Sequence, residues 1–507
     1  MTGLALLGLV MLVVMIGVIF IGFPISFTLL FLALTFGYFS LGEMVFSLAY
    51  FQTIGMMKEE LLAAVPLFIF MGFLTEQAGL MERLFIALRL MLAPIRGSLF
   101  AVVILTATIF AMATGIVGAA VTVLGIMASP IMVKTGYDGR LSAGAITAGG
   151  TLGILIPPSV MLIVMGPVLG VSVADLYAAA FGPGFLLAAM YLAYLLGRSF
   201  LNPKLGPPVP KEERIHGVPV IIKEVLIGVV PLVLLIGAAL GSILAGLATP
   251  TEASGIGALG AMLLAAAYRK LTYAGIKRAV LSTTATSAMV LLLAVTSSIF
   301  GAVFARLGTA NWITDVMLAL PLSPVMMLVV VLFLIFLLGW PFEWPAIILV
   351  FLPIFYPVMD ALKPALGDAM NIPVDMVMVW FGALVAVTLQ TAFLSPPVAM
   401  SAYYLRQVVK EWSLATIYKG MFEFMVLQCI GIALIVIFPQ IATWFPEHLQ
   451  TESRAVKTEE VDDSMNRLEV DPMKGLREDG TQKDEEEEGG EAEDDLEKDP
   501  MSKKSKK

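Results

Sequence analysis

The chain has 507 residues, of which 59% are hydrophobic and only 14% charged, against about 25% charged in soluble domains. With a mean hydropathy of +0.92, this excludes a soluble globular protein and indicates a polytopic membrane protein, with no nucleic-acid partner expected. The formal charge of −8 belongs to one end: from Glu447 onward there are 21 acidic and 11 basic residues, net −10, against 18 acidic and 20 basic before it, net +2.

Apolar runs fall near 3–22, 24–42, 61–80, 97–130, 141–168, 174–197, 219–240, 243–267, 280–304, 324–358, 376–405 and 418–444. Runs near 20 residues cross a hydrocarbon core of about 30 Å. They lack the weak alternation of barrel strands, so helices are expected throughout. The first run, Met1 to Phe23, has no basic flank and reads as a retained helix rather than a cleaved signal. A proline-rich linker over 198–218, bordered by Arg198 and Lys223, divides residues 1–197 from 219–446. Beyond it, 447–507 carries few apolar residues and the acidic run Asp484 to Glu488. Such a segment cannot bury enough surface to offset chain entropy, so a disordered tail is expected.

Basic stretches orient the chain, because short cytoplasmic loops carry the excess of lysine and arginine. They read as loops at 83–96, 134–140, 198–223, 269–278 and 406–419. With all five on one side, segment 97–130 must enter the membrane and return, as a re-entrant hairpin. The stretch 360–375 holds Asp360, Asp368 and Asp375 against Lys363 and reads as outside, so 324–358 enters and returns from there. Each half then has three crossings, a hairpin, a broken helix and a last helix, in inverted orientation, with both termini outside. A plain bundle of ordinary crossings is the alternative.

The broken helices, near 141–168 and 376–405, each carry a proline pair beside a hydroxyl: Ile154-Leu155-Ile156-Pro157-Pro158-Ser159 and Phe393-Leu394-Ser395-Pro396-Pro397-Val398. A proline pair removes two donors and breaks a helix, and in lipid the freed carbonyls need partners. Two such breaks in matching places point to a secondary transporter with a midplane site. Around the first, Gly149, Gly150, Thr151, Gly153 and Ser159 supply flexible backbone and hydroxyls. Clustered carbonyl and hydroxyl oxygens suit a hard cation such as Na⁺, and helix N-termini at a break favour an anion. Gln390, Thr391 and Ser395 surround the second. A packing kink is the alternative for either motif.

The hairpin tips are the other candidates: Thr114-Gly115 in the first, and Gly339-Trp340-Pro341-Phe342-Glu343-Trp344-Pro345 in the second. Glu343 is the strongest single residue, since an ionisable group at membrane depth is functional by default; an interfacial carboxylate in an aromatic belt is the other reading. No Gly-x-x-x-x-Gly-Lys-Ser/Thr loop is present, so energy is expected from an ion gradient rather than ATP. His216, His448 and the single Cys429 offer no metal or disulfide pattern.

Lys134-Thr135-Gly136-Tyr137-Asp138, Ala148 to Ser159 and Phe181-Gly182-Pro183-Gly184 resemble the large membrane subunit of tripartite ATP-independent periplasmic (TRAP) transporters. Val350 to Pro357, Trp380-Phe381 and Gln390 to Pro397 extend the resemblance, which covers roughly 3–445. It implies an elevator-type inverted-repeat fold in a prokaryotic inner membrane, similar to the ion transporter superfamily. It also implies Na⁺-coupled symport without other cofactor, and a small organic acid as solute. The expected partners are a small four-helix membrane subunit and a soluble periplasmic binding protein. By position, one Na⁺ site would involve Thr114, Gly115, Gly153, Pro157, Pro158 and Ser159. The other would involve Gly339, Thr391, Ser395, Pro396 and Pro397, with the solute between them. The resemblance implies aspartate where Glu343 stands and threonine where Ser395 stands; both exchanges keep the chemical type. A stand-alone anion exchanger and an intramembrane enzyme are the rival readings, and the second lacks clustered catalytic side chains.

Overall fold

Local chemistry sets where the helices begin. The Asp138 carboxylate accepts from Leu141 N at 2.9 Å, and the Ser323 hydroxyl accepts from Met326 N at 3.3 Å. Ser172, Thr272 and Ser413 cap in the same way. Thr249 and Glu252 form a reciprocal capping box across Pro250. Each side chain satisfies a backbone donor that the first turn leaves free.

A computed structural model describes residues 3–208, 218–396 and 399–451. The described residues are helices and turns without a strand, and nine helices among them are long and apolar enough to cross a membrane. The chain is a multi-pass membrane protein, and the described part up to Gln450 forms one compact unit.

The first half opens with Gly3–Ile21, Ile25–Leu41, Met44–Met57, Ala64–Gln77 and Leu80–Leu92. A helical pair follows, Ser98–Thr114 and Val117–Lys134, turning at Gly115. Then comes an interrupted helix, Gly139–Thr151 and Val160–Leu169, and a long helix, Val173–Leu201. The second half runs Val218–Gly228, Val230–Leu244, Pro250–Ala267, Tyr273–Arg306 and Thr309–Leu318. A second pair follows, Pro324–Leu338 and the helical stretch Trp344–Met370. An interrupted helix, Val374–Ala392 and Met400–Val408, and the helix Leu414–Ile437 complete it. Pro324–Leu338 has 15 residues, about 22 Å at 1.5 Å per residue, short of a core of about 30 Å.

Small residues let these helices approach closely. A Cβ on Gly420 would lie 2.1 Å from the Arg140 carbonyl oxygen, and one on Gly144 would lie 2.9 Å from the Gly420 carbonyl oxygen. Helix Leu414–Ile437 therefore lies directly on Gly139–Thr151, as association in lipid favours. Arg140 pairs with Glu423 at 2.9 Å across the same two helices, and from Val173–Leu201 the Tyr194 hydroxyl donates to Glu423 at 2.5 Å. Val374–Ala392 is buried on every side from Met376 onward, as its all-round apolar sequence requires. The Trp380 indole nitrogen donates to the Ile435 carbonyl at 3.0 Å.

Several boundaries differ from the sequence reading: Met44–Met57 is a further helix, and the second pair runs on to Met370 rather than ending at 358. The expected loop 83–96 shrinks to a turn from 93 onward, because Leu80–Leu92 is helical. Leu80, Met81, Leu84, Phe85 and Leu88 are buried while Arg83 and Glu82 face outward, so charge marked one face of an amphipathic helix. Residues 440–451 are helical, 447–450 belong to the same compact unit as the body, and the Gln450 amide donates to Asp175 at 3.1 Å. The remainder of the expected tail, 452–507, and linker residues 209–217 lie outside the described residues.

Candidate functional site

Gly115 holds the tip of the first pair at φ +59°, a left-handed conformation open to glycine. A Cβ there would lie 3.7 Å from the Pro158 carbonyl oxygen and 3.9 Å from that of Gly153. The tip thus meets the first break, and two carbonyl oxygens and the Val160 backbone nitrogen line the space where a side chain would stand. At the second pair, a Cβ on Gly339 would lie 3.0 Å from the Cβ of Ala392, so this turn meets the start of the second break, here through an aliphatic contact.

Leu152–Ile154 tightens into a 3₁₀ turn at the first break, and the chain then passes through Pro157-Pro158 to Ser159. The Ser159 hydroxyl donates to the Ile154 carbonyl, and the Ser159 carbonyl accepts from the buried Tyr177 hydroxyl at 3.3 Å. The Thr151 hydroxyl donates to Ala148 at 2.8 Å. In the second break, Thr391 donates to Thr388 at 2.6 Å and Ser395 to Thr391 at 2.7 Å. A hydroxyl whose proton is held by its own helix still offers lone pairs. Such neutral oxygens fit a hard monovalent cation, and among the described residues no three His, Cys, Asp or Glu side chains gather to hold a transition metal.

Gly115, Gly153, Pro157, Pro158 and Ser159 are therefore gathered at one place, and Gly339, Thr391, Ser395 and Pro396 at another. Gly150 is not at the break: a Cβ there would lie 2.3 Å from the Val121 side chain, so this glycine serves helix packing. The side chain of Thr114 and the whole of Pro397 lie outside the described residues.

A cavity of about 240 Å³ lies between the two tips and the two breaks. Val117, Val160, Trp344 and Met400 all line it, and each is the first residue of a helix. None of the four N-cap residues, Ile116, Ser159, Glu343 and Ala399, gives a side-chain cap bond. Four uncapped N-termini thus converge on one space, each with the positive end of a helix dipole; three offer free N–H groups in the first turn, while at Trp344 the proline Pro345 and the Ala346–Glu343 bond leave few. Glu343 is the single charged residue among the described ones lining this space, and no lysine or arginine reaches it.

The remaining walls come from elsewhere in the chain. Ile69, Thr286, Met289 and Val290 form one side, and Tyr404 closes another, its ring 3.0 Å from where a Gly118 Cβ would stand. Sequence reasoning missed these residues, and also Gln428. That side chain is wholly buried, and its amide nitrogen lies 3.4 Å from the Thr151 hydroxyl and 3.5 Å from the Gln390 side-chain oxygen. A lone amide inside the apolar run of Leu414–Ile437 was the available signal.

The family model described as the tripartite ATP-independent periplasmic transporter, DctM component, matches residues 12–441. The sialic acid TRAP transporter large permease protein SiaM of Vibrio cholerae is 29% identical over 438 residues, covering 85% of this chain and 96% of that protein. The C4-dicarboxylate TRAP transporter large permease protein DctM of Rhodobacter capsulatus is 28% identical over 407 residues, covering 77% and 87%. Among solved structures, the YdaH transporter of Alcanivorax borkumensis matches with a TM-score of 0.55 at 15% identity, over 80% of this chain and 90% of that one. At that identity the likeness is one of fold.

Proposed function

Because this chain belongs to the DctM component family of tripartite ATP-independent periplasmic transporters, and so serves secondary transport, we propose that it imports a small carboxylate with a Na⁺ gradient. The convergence of four uncapped helix N-termini on one cavity carries this reading. Their N–H groups and dipoles suit an anion. The cavity's own charged side chain is nevertheless Glu343, a carboxylate. A carboxylate solute therefore needs positive charge that the lining side chains do not supply. Na⁺ held by the oxygens beside Gly115 and beside Gly339 supplies it, and Glu343 accepts from a hydroxyl or ammonium group of the solute.

Sialic acid and C4-dicarboxylates, for which the two relatives are named, are both carboxylic acids, which supports the solute class. The family supports the partners: a small membrane subunit, and a soluble periplasmic protein that delivers the solute to a permease in the inner membrane. Na⁺ and solute bind cooperatively, because each favours the same closed arrangement of tips and breaks. The tips and breaks then move together against the outer helices, as an elevator.

The test is uptake into proteoliposomes holding the chain and both partners. The solute is chosen by thermal-shift screening of the binding protein against organic acids. An inward Na⁺ gradient is expected to drive accumulation, and choline in its place to abolish it. Equal uptake with Na⁺ and choline would refute the coupling.

A further inference from the structure

The two helix breaks are joined by a chain of side-chain amides. Thr151 is the last residue of Gly139–Thr151, and where the helix tightens into the 3₁₀ turn its carbonyl loses the i+4 donor, Leu155 N, which bonds to Leu152. The Gln390 amide nitrogen takes that carbonyl at 3.2 Å. Thr151 and Gln390 are 239 residues apart, the separation of Pro157 and Pro396. The bond therefore links corresponding positions of the two motifs.

One acceptor fixes every orientation in the chain. A carbonyl can only accept, so Gln390 must present its nitrogen to Thr151 and its oxygen to Gln428. Gln428 must then present its nitrogen, and its own oxygen is left without a hydrogen bond although the residue is wholly buried. The contacts of Gln428, at 3.4 and 3.5 Å, are at the long end of the hydrogen-bond range. The Tyr191 hydroxyl beside Gln428 is buried as well. A buried polar cluster left slack in this way has more than one arrangement within reach. Each end sits beside a proposed ion site: Gly153 follows Thr151 by two residues, and Gln390 adjoins Thr391, whose carbonyl holds the Ser395 hydroxyl.

We propose that Gln390 and Gln428 are positioning residues forming an amide relay that couples the two breaks, so that an ion at one raises affinity at the other. This rests on the Na⁺-coupled reading above. Loading the first site draws the Thr151 carbonyl into place, and the relay transmits the change to Thr391.

The test uses the full chain in vesicles with Cys429→Ser and one reporter thiol, Thr286→Cys, on the cavity wall. The labelling rate is titrated with NaCl against choline chloride. The parent chain is expected to show a Hill coefficient of about two. Gln428→Leu and Gln390→Leu are each expected to lower it to about one and to raise half-saturation about tenfold. The double variant is expected to be no worse than the worse single one, because both changes cut one relay. A merely structural role would lower thermal stability and leave the Hill coefficient unchanged. An unchanged coefficient in both single variants, or multiplied effects in the double, would overturn the relay alone. A parent chain indifferent to Na⁺ would instead overturn the coupling reading and the relay with it. If Gln428→Leu is not monodisperse, Gln428→Met, which keeps the length, replaces it under the same criteria.

Discussion

Gly115 separates what a tip needs from what a helix needs. At φ +59° it sits where a residue with a Cβ meets its own carbonyl, at a cost of about 1–2 kcal/mol. The same Cβ would enter the space bordered by the Pro158 and Gly153 carbonyl oxygens. Gly115→Ala is therefore expected to raise the Na⁺ concentration for half-maximal uptake about tenfold, since 1.4 kcal/mol is a factor of ten. The maximal rate should change little, because saturating Na⁺ restores the same closed tip. An unchanged half-saturation would remove Gly115 from the ion site.

At the scale of elements, the interrupted helix Gly139–Thr151 works only if it lies flush on its neighbours. At Gly150 an added Cβ falls 2.3 Å from the Val121 side chain and 3.2 Å from its backbone nitrogen. Gly150→Val is expected to destabilise the chain by about 1–3 kcal/mol, the usual range for overpacking, read as a lower melting temperature in detergent. Gly17→Ala is the control, since a Cβ there meets nothing within 4 Å, and it should leave the melting temperature unchanged or slightly raised. Both breaks and both pairs were legible in the sequence because proline, glycine and runs of charge are local signals. Leu80–Leu92 was not, because Arg83 and Arg89 hide an apolar face that only periodicity shows. Thr286 and Gln428 reach the site from distant helices, and Tyr404 from Met400–Val408 beyond the second break. No local pattern around them encodes that meeting.

For the whole molecule, the order of elements repeats: outer helices, a pair, an interrupted helix and a long helix occur in each half. Inverted halves put the ends of the two pairs on opposite sides. Lys134 and Asp368 are both exposed, so single cysteines at these positions report the sides directly. Lys134→Cys is expected to react with an impermeant maleimide only from the cytoplasm, and Asp368→Cys only from the periplasm. Reaction of both from one side would replace the inverted arrangement with a plain bundle.

The central claim is that one cavity between the tips holds ion and solute and opens to each side in turn. Thr286 lines that cavity from the 34-residue helix Tyr273–Arg306. The decisive measurement is the labelling rate of Thr286→Cys in the Cys429→Ser background, read from each face of the membrane. The account predicts labelling from both faces, slowed from both by Na⁺ with the solute and not by choline. Labelling from one face only, or at a rate indifferent to Na⁺ and solute, would contradict it.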